Sequence, residues 1–230
     1  MDKKLKFDEE VDESAIAIDL KQIKIKNSIF YLFTKRVIDF IGALVGLILL
    51  SPIMVIVAIA IKLEDPKGNI IFGHKRVGKD GKMFPCLKFR SMFANAEEMK
   101  KNFTDEQKRE YAETFKLKDD PRITKVGNFI RKTSLDELPQ LFNILKGDMT
   151  IVGPRPIVTD ELAFYGEYED YYKAVKPGLT GLWQVNGRSD TTYDERVSFD
   201  MEYVTTRNTF KDLYIIFMTV IKVLKREGAC

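Results

Sequence analysis

From Phe40 to Ile61 the chain runs for 22 residues without a charge, and no other stretch limits the fold as severely. As a straight helix such a run covers about 33 Å, enough to cross the hydrocarbon core of a bilayer. Ser51-Pro52 sits at its middle. Proline offers no N–H to the carbonyl of Ile48 and its ring presses on the preceding turn, so a kink or break is expected there. The Ser51 hydroxyl stands where it can satisfy the backbone groups so freed. Two membrane readings follow: a kinked span, the commoner structure, and a re-entrant helix-break-helix that enters and leaves by one face. The flanks favour the second. Lys35 and Arg36 precede the run, Lys62 and Lys67 follow it, and Asp39 adjoins it. The positive-inside tendency holds both ends on the cytoplasmic side.

The run divides the chain into residues 1–34, a membrane segment over 35–64 broken at Ser51-Pro52, and a body over 65–230. Met1 to Leu20 is acidic and aperiodic and reads as mobile. It lacks the basic and apolar regions of a secretory signal. Ile23 to Arg36 turns basic and aromatic, like the flank of a membrane segment. A net charge of +3 is too mild for a nucleic-acid partner. Cys86 and Cys230 have no paired spacing, which points to neither a disulfide framework nor zinc and fits a reducing compartment. The single histidine, His74, reads as a surface or loop residue.

In the body, Asn69–Phe72 and Met83–Phe89 flank the turn-rich Gly78-Lys-Asp-Gly81 and predict a β-hairpin. Lys88 and Arg90 alternate on its second strand, as a solvated edge or a phosphate site. Ala94 to Phe115 is a charged helical stretch with a break near Thr104-Asp105, followed by the polar loop Asp119-Asp-Pro-Arg-Ile-Thr124. Then comes Arg131 to Gly147. Leu138, Leu141, Phe142 and Leu145 fall on one helical face, Gly147 suits a left-handed C-terminal cap, and Ser134-Leu-Asp-Glu137 has the spacing of a capping box. Pro139 complicates that register, being comfortable only in a first turn.

Asp136 and Glu137 thus stand at the start of a short amphipathic helix, closely preceded by Arg131. Either they cap a core helix, or two acids and an arginine handle a phosphorylated substrate with a divalent metal. Arg155, held between Pro154 and Pro156, is stiff in a way that suits a phosphate or nucleotide. Asp160–Val175 and Tyr193–Thr205 read as helices, and the glycines of Lys176–Arg188 let backbone approach a ligand. Trp183 is a core or interface anchor, with stacking on a uracil the lesser alternative. Leu213–Ile221 is apolar but too short to span; with Lys222, Lys225 and Arg226 behind it, it suits the membrane surface or the core equally.

The fold class expected is α+β, predominantly helical, with a small β-hairpin. In order, the apolar run with Ser51-Pro52, Lys88-Phe-Arg90, Asp119-Asp-Pro-Arg-Ile-Thr124, Ser134-Leu-Asp-Glu-Leu-Pro-Gln140, Val152-Gly-Pro-Arg-Pro156 and Pro177-Gly-Leu-Thr-Gly181 resemble the monotopic phosphoglycosyl transferases of the bacterial sugar transferase family. The resemblance covers Lys35 to the end, in the minimal form without an additional N-terminal multi-span region. It implies a monotopic enzyme on the cytoplasmic face of the bacterial inner membrane. The expected activity moves a sugar 1-phosphate from a UDP-sugar to polyprenyl phosphate, releases UMP and opens the membrane steps of glycoconjugate synthesis, exopolysaccharide among them.

On the same resemblance Asp136 is the nucleophile that carries the sugar phosphate covalently, and Asp136 with Glu137 holds Mg²⁺. Arg131, Arg155, Arg188, Pro154 and Pro156 bind substrate, with Lys88 and Arg90 of the same kind. The partners implied are the UDP-sugar, polyprenyl phosphate and membrane lipid, with room for a homo-oligomer and for downstream glycosyltransferases. A membrane scaffold without turnover and a nucleotide-sugar hydrolase are the competing classes; UMP release that requires polyprenyl phosphate separates them from the transferase.

Overall fold

The computed structural model describes residue 25 and residues 28–114, 117–187 and 191–225. Met1 to Leu20, expected to be mobile, lies outside them. The uncharged run belongs to α1 (Ile29–Glu64), one helix of 36 residues with Pro52 inside it. The helix carries through Ser51-Pro52, where a kink or break was expected. The Ser51 hydroxyl donates to the Ile48 carbonyl at 2.8 Å, which is the acceptor that proline leaves unused, so the turn stays satisfied.

A helix of this length extends about 54 Å, and one face of it rests on the body from end to end. Tyr31 donates to Asp212 (3.0 Å) and Arg36 to the carbonyls of Ile144 and Leu145 (2.8 Å each). The buried Asp39 accepts from the Thr150 hydroxyl and from the Ile151 N–H at 2.8 Å. Ala43, Leu47 and Leu50 pack with Leu141 and Ile144, and Val57 and Ile61 pack with Phe89 and Ile130. Glu64 closes the series by accepting from the N–H groups of Lys125 and Val126 (2.7 and 2.9 Å). The opposite face is bare: Phe30, Phe33, Ile48, Leu49, Ile56 and Leu63 are all exposed. Among the described residues α1 is the one helix long and apolar enough to cross a membrane by length and composition. Lys35 and Arg36, expected as a charged flank, bond inward to the protein.

The predicted hairpin forms as β1 (Ile71–Val77) and β2 (Met83–Phe89), antiparallel with Ile71 opposite Phe89 and Val77 opposite Met83. Its first strand runs further than the sequence suggested. Phe84 and Cys86 point into the core while Met83 and Pro85 face out, as strand alternation requires. The charged stretch that follows splits into α2 (Ala96–Lys101) and α3 (Asp105–Thr114) at the expected place. Next come α4 (Lys125–Lys132) and α5 (Gln140–Lys146). The Asn143 side chain accepts from the Leu87 N–H and donates to the Pro85 carbonyl, both at 2.9 Å, sewing α5 to β2.

A second sheet pairs β3 (Thr150–Val152) in parallel with β4 (Gly178–Thr180). A Cβ on Gly178 would stand 2.1 Å from the Gly153 nitrogen, so the two backbones meet only because this position is glycine. Asp160–Tyr168 is a 3₁₀ segment leading into α6 (Glu169–Lys173), where one helix was expected. Then follow α7 (Leu182–Asn186), α8 (Tyr193–Thr206) and α9 (Thr209–Lys225). Thr192 and Glu195 form a complete capping box at the start of α8. The main core gathers Val152, Ile157, Tyr165, Tyr172, Val204 and Ile215. α9 sends Ile215 into that core, while Phe210, Leu213 and Phe217 on it are exposed.

Candidate active site

Glu64 and the Thr124 hydroxyl, which accepts from the Gly127 N–H at 2.8 Å, fix the start of α4. The other end of α4 carries Arg131, whose Nε donates to the Ser91 hydroxyl at 2.8 Å. The chain then turns sharply. Ser134 is left-handed (φ 56, ψ 16) and is followed by a 3₁₀ turn over Leu135–Glu137. Pro139 stands just before α5, and Gly147 (φ 94) ends that helix in the left-handed cap its position predicted.

The expected capping box at Ser134–Glu137 does not form, because the Ser134 side chain makes no capping bond and its backbone is spent on the turn. A non-glycine residue in that region costs on the order of 1–2 kcal/mol. Serine already bears that cost, and a β-branched residue tolerates the region still less, so we expect Ser134→Val to lose a further ~1 kcal/mol or more and most activity, and Ser134→Gly to keep activity with equal or higher stability. Thermal unfolding beside turnover checks this, and a Val variant equal to wild type would show that the turn does not position Asp136.

The turn buries Asp136, at 8% exposure, beside Glu137. Lys88, reaching across from β2, lies 3.6 Å from Asp136 Oδ2 and 2.6 Å from Glu137 Oε1. Burial raises the Asp136 carboxyl above the ordinary aspartate value, with the Glu137 charge adding to it, and the cations of Lys88 and Arg131 pull the other way. Burial also lowers the Arg131 guanidinium, while the Asp136 charge acts to raise it. Four of the expected site residues, Lys88, Arg131, Asp136 and Glu137, therefore come together.

Arg155 belongs to a neighbouring cluster. Its loop is pinned by backbone: Lys35 donates to the Val152 carbonyl at 2.8 Å, and the Tyr203 hydroxyl oxygen lies 2.9 Å from the same carbonyl. Gly153 donates to Thr180 and Gly178 to the Pro154 carbonyl (2.8 Å each), and the Tyr172 hydroxyl donates to the Arg155 carbonyl (3.1 Å). Pro154 and Pro156 contribute stiffness to this frame. The guanidinium it presents lies 5.5 Å from the centre of the Trp183 ring. Arg196 lies 5.0 Å from that ring too, which makes Trp183 a packing partner of arginines.

Arg90 goes elsewhere. It pairs with Asp65 at the end of α1 and donates to the Asp65 carbonyl at 2.6 Å, so its guanidinium is committed to a latch. Arg188 lies outside the described residues. Sequence reasoning missed Glu161, which accepts from Arg76 (3.1 Å) and Val158 N–H (2.9 Å) and pairs with Arg196. It also missed the purpose of Asp120-Pro-Arg122: Arg122 grips the Asp120 carboxylate with Nε and Nη2 (2.9 and 2.7 Å) and lies over Phe103. The i, i+2 acid–arginine spacing was the available signal.

Among the described residues no three Asp, Glu, His or Cys side chains gather as a metal cage. Asp136 and Glu137 offer two carboxylates. That donor set is too small for a closed site but fits Mg²⁺, which commonly takes one or two carboxylates and completes its shell with water and substrate phosphates.

The structure thus sets a buried acid beside a lysine and an arginine, on a body faced by the apolar helix α1. Comparison with known proteins decides the family: residues 30–226 match Bacterial sugar transferase. The chain belongs to this family. Over 200 residues it is 52% identical to the undecaprenyl-phosphate galactose phosphotransferase of Salmonella typhimurium, covering 86% of this chain and 42% of that protein. It is 46% identical over 199 residues to the exopolysaccharide production protein ExoY of Sinorhizobium fredii, covering 85% and 88%. With the UDP-glucose:undecaprenyl-phosphate glucose-1-phosphate transferase of Escherichia coli the identity is 41% over 203 residues, covering 85% and 41%. The chain spans less than half the length of the first and third of these relatives.

Proposed function

We propose that this member of the bacterial sugar transferase family moves a sugar 1-phosphate from a UDP-sugar to undecaprenyl or a similar polyprenyl phosphate, through a covalent intermediate on Asp136. The observation that carries this reading is Asp136 itself: a buried carboxyl with the Lys88 ammonium 3.6 Å away, the like charge of Glu137 beside it and the Arg131 cation acting on it. The relatives' names supply the substrate classes.

In the first step an Asp136 carboxylate oxygen bonds to the β-phosphorus of the UDP-sugar. The bond from that phosphorus to the bridging oxygen breaks, and UMP leaves with the electron pair. In the second, an oxygen of the lipid phosphate attacks the same phosphorus and the Asp136 carboxylate departs. A carboxylate nucleophile thereby splits one difficult displacement into two. Lys88 and Arg131 hold the phosphate oxygens and offset charge, and positioning of that kind is most of phosphoryl-transfer catalysis. Asp136 and Glu137 would hold Mg²⁺, which when bound withdraws further charge from those oxygens. Arg155 faces the nucleotide. The test is UMP release by purified enzyme in lipid nanodiscs: it should require both UDP-sugar and polyprenyl phosphate for turnover. Sustained release without the lipid phosphate would favour a hydrolase.

We also propose a monotopic setting at the cytoplasmic face. Exposed apolar side chains along α1 and α9 suit lipid, and contact of α1 with the body from Tyr31 to Glu64 holds both its ends beside one domain. Such a helix inserts without passing through. Tags at both termini should resist external protease in intact cells; cleavage of the N-terminal tag alone would establish a crossing.

A further inference from the structure

We propose that the phosphate of the departing nucleoside monophosphate sits on the hairpin face between Lys88 and Arg76, where His74 donates a hydrogen bond to it through Nε2. This rests on the transfer proposed above and adds to it a substrate-contacting residue outside the acid–lysine–arginine cluster.

The strand register brings the groups together. Phe72 is opposite Lys88, His74 opposite Cys86 and Arg76 opposite Phe84. Directly opposed residues share a face, as do alternate residues along a strand. Lys88, His74 and Arg76 therefore follow one another along one side of the hairpin. Lys88 marks the nucleophile's end of this row. Arg76 marks the other, joined to Glu161 at 3.1 Å and within electrostatic reach of Arg155. The phosphorus that stays with the sugar must meet Asp136, so the leaving nucleotide extends toward Arg76 and Arg155, and its phosphate passes His74.

His74 is exposed, and its ring is already oriented. Arg76 Nη2 lies 3.2 Å from Nδ1. An arginine only donates, so Nδ1 accepts and the ring proton belongs on Nε2. Partial desolvation of the ring against the hairpin, then the charges of Arg76 and Lys88, hold the imidazole below its ordinary pKa, against the pull of Glu161. The ring is a neutral, directed donor among cations, a form of imidazole that stabilises developing negative charge without giving up its proton. As the bond from phosphorus to the bridging oxygen breaks, the electron pair goes to UMP and His74 keeps its hydrogen.

The experiment compares wild type, His74→Ala and His74→Gln, the glutamine keeping an N–H near the position of Nε2. Inhibition by UMP, direct binding of UMP, kcat/KM for the UDP-sugar and KM for polyprenyl phosphate are measured in nanodiscs. Losing a hydrogen bond to a charged phosphate weakens binding about tenfold or more. His74→Ala should raise the UMP inhibition and dissociation constants by about that factor and lower kcat/KM at least as much, and His74→Gln should restore both to within about threefold. KM for polyprenyl phosphate should not move. Unchanged UMP affinity in His74→Ala overturns the proposal. So does an effect confined to polyprenyl phosphate, which would place the lipid's phosphate there instead. A wild type that binds UMP through His74 yet never turns over would sink the transfer reading and leave this site standing.

Discussion

Asp136→Asn should stop UMP release outright, by at least a thousandfold, and with it any sugar-phosphate adduct on the protein. Asparagine keeps the shape of the side chain and removes the oxygen charge that attacks phosphorus, and covalent catalysts lose rates of this order when the nucleophile goes. The stability of the variant should move the other way. The folded Asp136 carboxyl is raised above its unfolded value, chiefly by burial. Its contribution to stability is thus fully present below the unfolded pKa and is lost as pH rises through the folded one. At neutral pH the wild type holds a charge the fold would rather neutralise, and asparagine removes it. The thermal midpoint of Asp136→Asn should equal or exceed wild type at pH 7, and the difference should shrink on acidification. Activity has the opposite pH dependence, falling as pH drops through the same raised pKa because the nucleophile becomes protonated. Intact-mass spectrometry of trapped mixtures gives the decisive readout: a fully active variant, or an adduct that survives the substitution, excludes Asp136 as nucleophile.

The acids were legible because their spacing, the cap at Gly147 and the neighbouring Arg131 are local features, and α5 is built from local periodicity. What surrounds them was less so. A left-handed Ser134 shows no sign in sequence, since Ser-x-x-Glu reads equally as a cap; at Thr192-x-x-Glu195 the same wording is a true capping box. The difference lies in Pro139, which brings its own turn immediately before α5. The fate of Pro52 was half legible. The Ile48 carbonyl and the Ser51 hydroxyl were both visible, but only the continuous packing of α1 on Leu141, Ile130 and Phe89 explains why the helix runs on. Long-range partners were hidden altogether. Arg90 and Lys88 look alike two residues apart, yet one meets Asp65 and the other meets Glu137.

Lys35→Met should be among the most destabilising substitutions in the protein, by about 3–5 kcal/mol, because it leaves a buried carboxylate without its cation. Lys35 looked like a membrane-flanking charge, but its ammonium lies 2.9 Å from Asp212 Oδ2, and both side chains are largely buried. The same nitrogen donates to the Val152 carbonyl and to the Tyr203 hydroxyl, which in turn donates to Asp212 Oδ1 at 2.7 Å. One cation thus joins α1, α8, α9 and the strand that leads into Gly153-Pro-Arg155. Loss of the lysine should also loosen the loop that presents Arg155, raising KM for the UDP-sugar more than it lowers kcat. The double variant Lys35→Met with Asp212→Asn removes the orphaned charge and should recover a large part of the lost stability, while KM stays high because the Val152 carbonyl still lacks its bond from the α1 lysine. Unfolding of the two variants in one detergent, with KM measured on the double variant, separates these effects. Equal stability of the two would show that the ion pair does not hold α1 to the body, and a normal KM in the double variant would detach the Arg155 loop from Lys35.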